Sequence, residues 1–194
     1  MSITTRLAGL SDAGMLHDLA ARTFGLACPP GTLQSDIDAF IAGNLSAESF
    51  RGYLADPERI LLVAEEDGVP VGYSMLIGGP ITDASVAATV AAAVDERVSI
   101  ELSKFYLAPE RHGSGVASAL MTATLAEAAG AGAEFCWLGV NQRNERAAKF
   151  YAKQGFDVIG VKRFRVGDVW HDDYVRLRAL NPSGFEKRGA SAPS

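Results

Sequence analysis

The residues best equipped for chemistry fall in one run, Glu101-Leu-Ser-Lys-Phe-Tyr-Leu-Ala-Pro-Glu-Arg-His-Gly-Ser-Gly-Val-Ala117. In its second half Gly113 and Gly115 flank a single small residue, Ser114, and a helix-forming stretch starts at once. A glycine-rich turn feeding a helix presents a fan of backbone N–H groups, backed by the positive end of the helix dipole. Such a turn suits a phosphate or a pyrophosphate. The first half alternates as a strand, with Glu101, Ser103, Phe105 and Leu107 on one face and Leu102, Lys104, Tyr106 and Ala108 on the other. Pro109 has no N–H for a strand ladder and ends it.

Two phosphate patterns compete for the turn, beside the plain reading of a glycine turn that merely starts a helix. Gly113-Ser-Gly115-Val-Ala-Ser118 half-matches the dinucleotide fingerprint G-x-G-x-x-G, with Ser118 in the place of the third glycine. The acid expected about 20 residues further on would be Glu134, which lies where the next strand begins rather than where it ends. No Gly-Lys-Ser/Thr follows, which excludes a P-loop. The other pattern, Q/R-x-x-G-x-G/A, is written here His112-Gly-Ser-Gly115-Val-Ala117.

The elements that must hold this run can be read in order. Ile3 to Leu7 is a first strand; Ser11 or Asp12 caps a helix that ends near Thr23. Helices are predicted from Leu33 to Asn44 and from Ala47 to Leu54, then two strands, Ile60 to Glu65 and Val69 to Ile77, around the turn Glu66-Asp67-Gly68. Ala84 to Ala93 reads as a short helix before the strand of the opening run. After the glycine turn come a helix from Ser114 to Ala129, a strand from Glu134 to Val140, a helix from Ala147 to Gln154 closed by Gly155, and a hairpin of Val158 to Val166 with Trp170 to Leu177. That order gives a mixed, mostly antiparallel α/β (α+β) sheet of six to seven strands flanked by helices. It makes one domain over residues 1–180, with a loose polar tail over 181–194.

Bulk properties narrow the function. The chain of 194 residues suffices for one domain with a full core, and 48% hydrophobic with 21% charged residues is ordinary for a globular protein. A net charge of −5 argues against nucleic acid as a partner and favours cationic substrates. Cys28 and Cys136 alone imply neither a disulfide framework nor a cysteine zinc site, and His17, His112 and His171 are too scattered for a metal, so no metal is expected. No run approaches the ~20 apolar residues of a membrane span and the first residues lack an apolar signal core, so the expectation is a cytoplasmic protein with no membrane partner.

A second motif decides between the patterns. Asn141-Gln-Arg-Asn144-Glu-Arg-Ala147-Ala-Lys-Phe150-Tyr151-Ala-Lys-Gln-Gly155-Phe156 reads N-x-x-N-x-x-A-x-x-F-Y-x-x-x-G-F, and it follows the glycine turn in the right order. As a helix it needs no more than Asn144 as its N-cap, Ala147, Phe150 and Tyr151 turned inward, and Gly155 closing it. Together with the His112–Ala117 loop, however, it resembles the GNAT superfamily of N-acetyltransferases, over most of residues 3–180. His112 is a departure, since the family usually has Gln or Arg there. Glu101 to Leu107, Trp137 to Asn141 and Val166 to Tyr174 further resemble the bacterial spermidine/spermine N-acetyltransferase subfamily.

The resemblance implies the GNAT fold, acetyl-CoA as co-substrate and an acceptor amine, with polyamines favoured. It places the pyrophosphate on the amides of His112, Gly113, Ser114, Gly115, Val116 and Ala117. The pantetheine arm would run along Phe105, Tyr106 and Leu107 as an added strand, with Asn144 and Ala147 beside the coenzyme. Tyr151 is implied as the general acid near the coenzyme sulfur, against the bland reading of a core tyrosine. Glu101 stands where related enzymes carry a catalytic carboxylate, and competes with the reading of an ion-paired strand residue. At pH 7 only about 0.1% or less of a primary amine is neutral, so a base is needed. Asp168, Asp172 and Asp173, with Glu101, form a candidate acidic mouth for a polyamine, or else are turn and surface acids. The alternatives left open are a protein N-terminal acetyltransferase and a non-catalytic coenzyme A-binding regulatory module; a homodimer is also left open.

Overall fold

The computed structural model describes residues 2–28, 31–111, 115–166 and 169–180. Seven strands form one sheet: β1 (Ile3–Leu7), β2 (Arg59–Glu66), β3 (Val69–Ile77), β4 (Ser99–Leu107), β5 (Phe135–Asn141), β6 (Asp157–Val166) and β7 (Val169–Ala179), in the spatial order β1-β2-β3-β4-β5-β7-β6. All neighbours run antiparallel except β4 and β5. The helices are α1 (Ala13–Ala27), α2 (Gln34–Asn44), α3 (Ala47–Ala55), α4 (Ala84–Val94), α5 (Val116–Gly130) and α6 (Glu145–Lys153). This is the mixed sheet that the order of elements predicts, with α1 running four residues beyond Thr23.

Side-chain alternation sorts the helices to the two faces of the sheet. Leu61, Val63, Tyr73 and Met75 pack with Leu16, Leu19, Ile37 and Phe50 of α1, α2 and α3. On the same side Trp137 and Val175 meet Val86, Val90 and Val94 of α4. The opposite face, with Leu76, Leu102, Cys136 and Leu138, packs on Met121 and Leu125 of α5. The Ser74 and Thr124 hydroxyls hydrogen-bond at 2.7 Å and tie α5 to β3. The β2–β3 turn uses the left-handed pair Asp67 (φ 49°) and Gly68 (φ 79°), as a tight hairpin demands.

β4 and β5 are where the sheet comes apart. Their parallel ladder covers Ser99–Phe135, Ile100–Cys136 and Glu101–Trp137, and Glu101 is its last member on β4. Two residues on, β4 carries a bulge: Leu102 pairs with Leu76 and Lys104 with Met75, which leaves Ser103 without a partner on β3. The extra residue bends and twists the strand. β5 meanwhile stays paired to β7 as far as Asn141–Asp173. The two strands therefore fork just past Glu101.

The bulge also corrects the regular alternation expected for β4. Paired residues share a face, so Glu101, Lys104 and Tyr106 lie with Ile77, Met75 and Tyr73 on the side of α1–α4. Leu102, Phe105 and Leu107 lie with Leu76, Ser74 and Gly72 on the side of α5. Strict alternation separates Glu101 from Lys104; the bulge puts them together.

Candidate active site

The fork holds a cavity of about 260 Å³ lined from both sides of the sheet. Glu101, Lys104, Tyr106, Lys162 and Asp173 face it at one end, and Phe105, Asn144, Ala147 and Tyr151 at the other. A second hollow of about 280 Å³ shares Phe105, Tyr106, Asn144, Ala147 and Tyr151 with it, and continues past Leu107 and Arg146 to Ala117 at the start of α5. Together they make one groove from the first turn of α5 to Glu101.

The α5 end of the groove is built from backbone. Gly115 is the residue before α5 and adopts φ 91°, a left-handed conformation that side chains other than glycine's rarely tolerate. Its carbonyl accepts from Ala119 N at 3.0 Å, so the N–H groups of Val116 and Ala117 in the first turn have no partner within the helix. Val116 is fully buried against β2 and β3, which fixes how the helix end is aimed. The approach to the loop is held by Arg111 Nη1, 2.9 Å from Oε2 of buried Glu66. His112, Gly113 and Ser114 lie outside the described residues.

α6 forms the other wall. Asn144 Oδ1 accepts from Ala147 N at 3.1 Å, the N-cap bond the motif predicts, so its amide nitrogen is what remains for a ligand. Tyr151 sits in an aromatic nest, with ring centroids 5.6 Å from Phe150, 5.9 Å from Phe156 and 6.3 Å from Phe105. Its hydroxyl has no hydrogen bond among the described residues, and its ring lines both halves of the groove. Burial drives its pKa up, with Tyr106 and Cys136 adding to the shift, so the phenol keeps its proton at all working pH values.

At the far end Glu101 is half-buried at the base of the fork. Burial raises its pKa, and the nearby positive charges of Lys162, Lys104 and Arg59 hold part of that rise back. Lys104 moves the opposite way, down to about 8, because burial and then Arg59 disfavour its charge while Glu101 supports it. Lys162 starts on β6, crosses β7 and reaches the Trp137 ring on β5, with its ammonium 5.7 Å from the ring centroid.

The structure brings Glu101, Phe105, Tyr106, Asn144, Ala147, Tyr151 and Asp173 to the first cavity, and Leu107 and Ala117 to its continuation. Asp173 is 7% exposed and receives the Asn141 side-chain amide at 3.4 Å. Asp172, its neighbour on β7, points to the other face, where its side chain is 64% exposed and 4.0 Å from Arg163. Asp168 lies outside the described residues. Three residues that line the groove carry no sequence signal of their own: Lys162, Gly139 and Arg146. Arg146 does lie inside the second motif, one place before Ala147. No group of three or more metal-ligating side chains, and no helix long and apolar enough to cross a membrane, occurs among the described residues.

Comparison with known proteins agrees with this fold. Residues 32–156 match the family model described as acetyltransferase (GNAT) family. An uncharacterized N-acetyltransferase of Mycobacterium tuberculosis (strain H37Rv) is 47% identical over 171 residues, which is 88% of this chain and 99% of the relative. Among solved structures, the PaiA N-acetyltransferase of Thermoplasma acidophilum, in complex with coenzyme A, aligns with a TM-score of 0.71 at 20% identity, covering 92% of this chain and 99% of the other. The ribosomal-protein-S18-alanine N-acetyltransferase of Escherichia coli aligns at 0.65 with 15% identity, over 97% and 100% of the two chains.

Proposed function

The chain belongs to the acetyltransferase (GNAT) family, and on that premise we propose that it moves the acetyl group of acetyl-CoA to the primary amine of a small molecule, by direct attack in a ternary complex. The observation that carries the reading is the continuous groove from the open first turn of α5 to half-buried Glu101, with Tyr151 at its middle. A pyrophosphate fits the helix end, where the first-turn N–H groups of α5 lack partners within the helix. The pantetheine arm fits the fork, where β4 and β5 no longer satisfy one another, along Phe105, Tyr106 and Leu107. The activity belongs to a single domain over residues 1–180.

In this mechanism the acceptor amine enters at the Glu101 end. The ammonium gives one proton to solvent to free the nitrogen lone pair. Glu101 takes the proton the nitrogen sheds as it bonds to carbon, directly or through a water, and the raised pKa makes it a better base than an ordinary carboxylate. The amine nitrogen bonds to the thioester carbon, the C–S bond breaks, and the thiolate leaves toward Tyr151. The Tyr151 phenol donates a hydrogen bond to that sulfur. Its raised pKa means that it stabilises the thiolate mainly by this bond, and the sulfur's final proton is the one the amine released. A cavity of about 260 Å³ supports a small acceptor over an extended peptide.

A thiol-release assay with acetyl-CoA against polyamines, amino acids, aminoglycosides and peptides tests the proposal. Turnover of at least one small amine is expected. Polyamines belong on the panel because of the sequence likeness; release with peptides alone would move the chain to the N-terminal acetyltransferases, and binding of acetyl-CoA with no acceptor turned over would make it a coenzyme A-binding regulatory module.

A further inference from the structure

Three charged side chains at the acceptor end stand without the partners that half-buried charges usually have. Lys104, Lys162 and Glu101 line one cavity. Among the described residues none of the three has an opposite charge within 4.0 Å, and neither ammonium makes a hydrogen bond. Both lysines instead approach ring faces: Lys104 Nζ lies 5.4 Å from the Tyr53 centroid and Lys162 Nζ 5.7 Å from that of Trp137. Taking charges out of water is costly unless they are paired. Two cations and the Glu101 carboxylate surround an open space that Asp173, which receives the Asn141 amide, also lines. The three, within each other's field yet out of contact, are the counter-image of a ligand that carries both signs.

The position of Lys162 is built into the sheet. Its chain lies over Gly139, where a Cβ would fall 2.8 Å from Nζ and would push the ammonium away. The nearby charged groups Arg59 and Asp83 have partners of their own. The Arg59 guanidinium is 2.9 Å from Asp56 and stacks on Tyr53 at 4.6 Å. Asp83 Oδ1 caps α4 through Ser85 N at 2.9 Å and Val86 N at 3.1 Å.

We infer that the acceptor is a small primary amine that also carries an anionic group, a carboxylate or a phosphate, a few bonds from its nitrogen. The amine lies beside Glu101 and the anion on Lys104 and Lys162. This rests on the acetyl-transfer reading of the same cleft and names its substrate class. A polyamine brings only positive charge to the two lysines, and is the contrasting case.

Matched acceptors test this: β-alanine against propylamine, phosphoethanolamine against ethanolamine, and spermidine, each followed by coenzyme A release. The expected result is at least about tenfold higher kcat/KM for one anion-bearing member over its partner, the two pairs telling carboxylate from phosphate. Lys104→Met, Lys162→Met and Gly139→Ala should each collapse that ratio toward one, mainly through KM. Preference for spermidine or the neutral amines, or a ratio unmoved in the three variants, overturns the inference. If acetyl-CoA binds but no acceptor is turned over, the acetyl-transfer reading fails separately. Calorimetric titration of β-alanine and phosphoethanolamine then reads the anion site alone: at least tenfold weaker binding in Lys104→Met and Lys162→Met supports it, and absence of binding to the unsubstituted protein refutes it.

Discussion

Along the half of the groove that runs from Ala117 to Tyr151, the protein offers backbone amides and apolar rings. Along the half that ends at Glu101, it offers charged side chains brought together from β4 and β6. On the proposed reading the first half recognises groups common to any coenzyme A thioester, and its contacts come from runs of neighbouring residues: the Gly115 turn, the Phe105–Leu107 strand, the Asn144–Tyr151 helix. The second half would recognise the variable partner, and its lining comes from residues up to 72 positions apart, Glu101 and Asp173. The lesson is that a common ligand is held by local geometry, which a motif can encode. A particular ligand is held by side-chain charge at long range, which a motif cannot.

That contrast can be broken from either end. The largest effect is expected from Gly115→Glu, which forces a bulky anion into a left-handed position at the phosphate end of the groove. Calorimetry should find no measurable acetyl-CoA binding while circular dichroism shows a folded chain; unchanged affinity would remove the loop from the coenzyme site. Glu101→Gln, at the other end, keeps shape and loses the base. The rate should fall roughly 10²-fold or more with acetyl-CoA affinity nearly intact, and the acidic limb of the pH–rate profile, displaced upward by the raised Glu101 pKa, should vanish. A mutant that keeps that limb would hand the role to water or another carboxylate.

Tyr151→Phe probes the junction of the two halves. Because the hydroxyl has no hydrogen bond among the described residues, its loss should cost little stability. The rate should drop by roughly 10²-fold, the low end for losing one hydrogen bond to developing charge, since a thiolate leaves fairly well unaided, and the loss should sit in kcat more than in KM. Wild-type turnover would return Tyr151 to the core.

The smallest effect is one of stability, and it sharpens the contrast most. Lys104 has a pKa of about 8 in the folded protein, below its unfolded value near 10.4. Between those values the unfolded chain holds more protons, so this residue makes stability rise with pH across that window. Below about pH 8 the folded state carries the full cost of the buried charge. Lys104→Met should therefore raise the melting temperature at pH 7 by about 2–4 °C, and the gain should shrink as pH rises from 8 toward 10. A destabilised Lys104→Met at pH 7 would mean that the ammonium is a structural group rather than one held ready for a ligand.

The half from Ala117 to Tyr151 was legible because each of its devices is local. The glycine turn, the helix start at Val116 and the Asn144 cap are each specified by neighbours within a few residues, and the strand order follows from hydrophobic periodicity. The acids of the last hairpin were harder to place for a different reason. The sequence offered Asp168, Asp172 and Asp173 as a cluster, but adjacent residues on a strand face opposite ways, and Asp172 leaves the cleft when Asp173 enters it. Lys104 was set on the face away from Glu101 because a bulge at Ser103 leaves no mark in composition or alternation.

The sequence by itself determined the sheet-and-helix order, the family likeness and the turn and cap at either wall of the groove, because propensity, capping and turn chemistry act over a few bonds. The tertiary structure alone decided where β4 and β5 fork, which face of β4 carries Lys104, and that Lys162 crosses a strand over Gly139 to meet them. Those three facts depend on strand pairing between distant segments, and a single bulged residue there reverses every side chain beyond it.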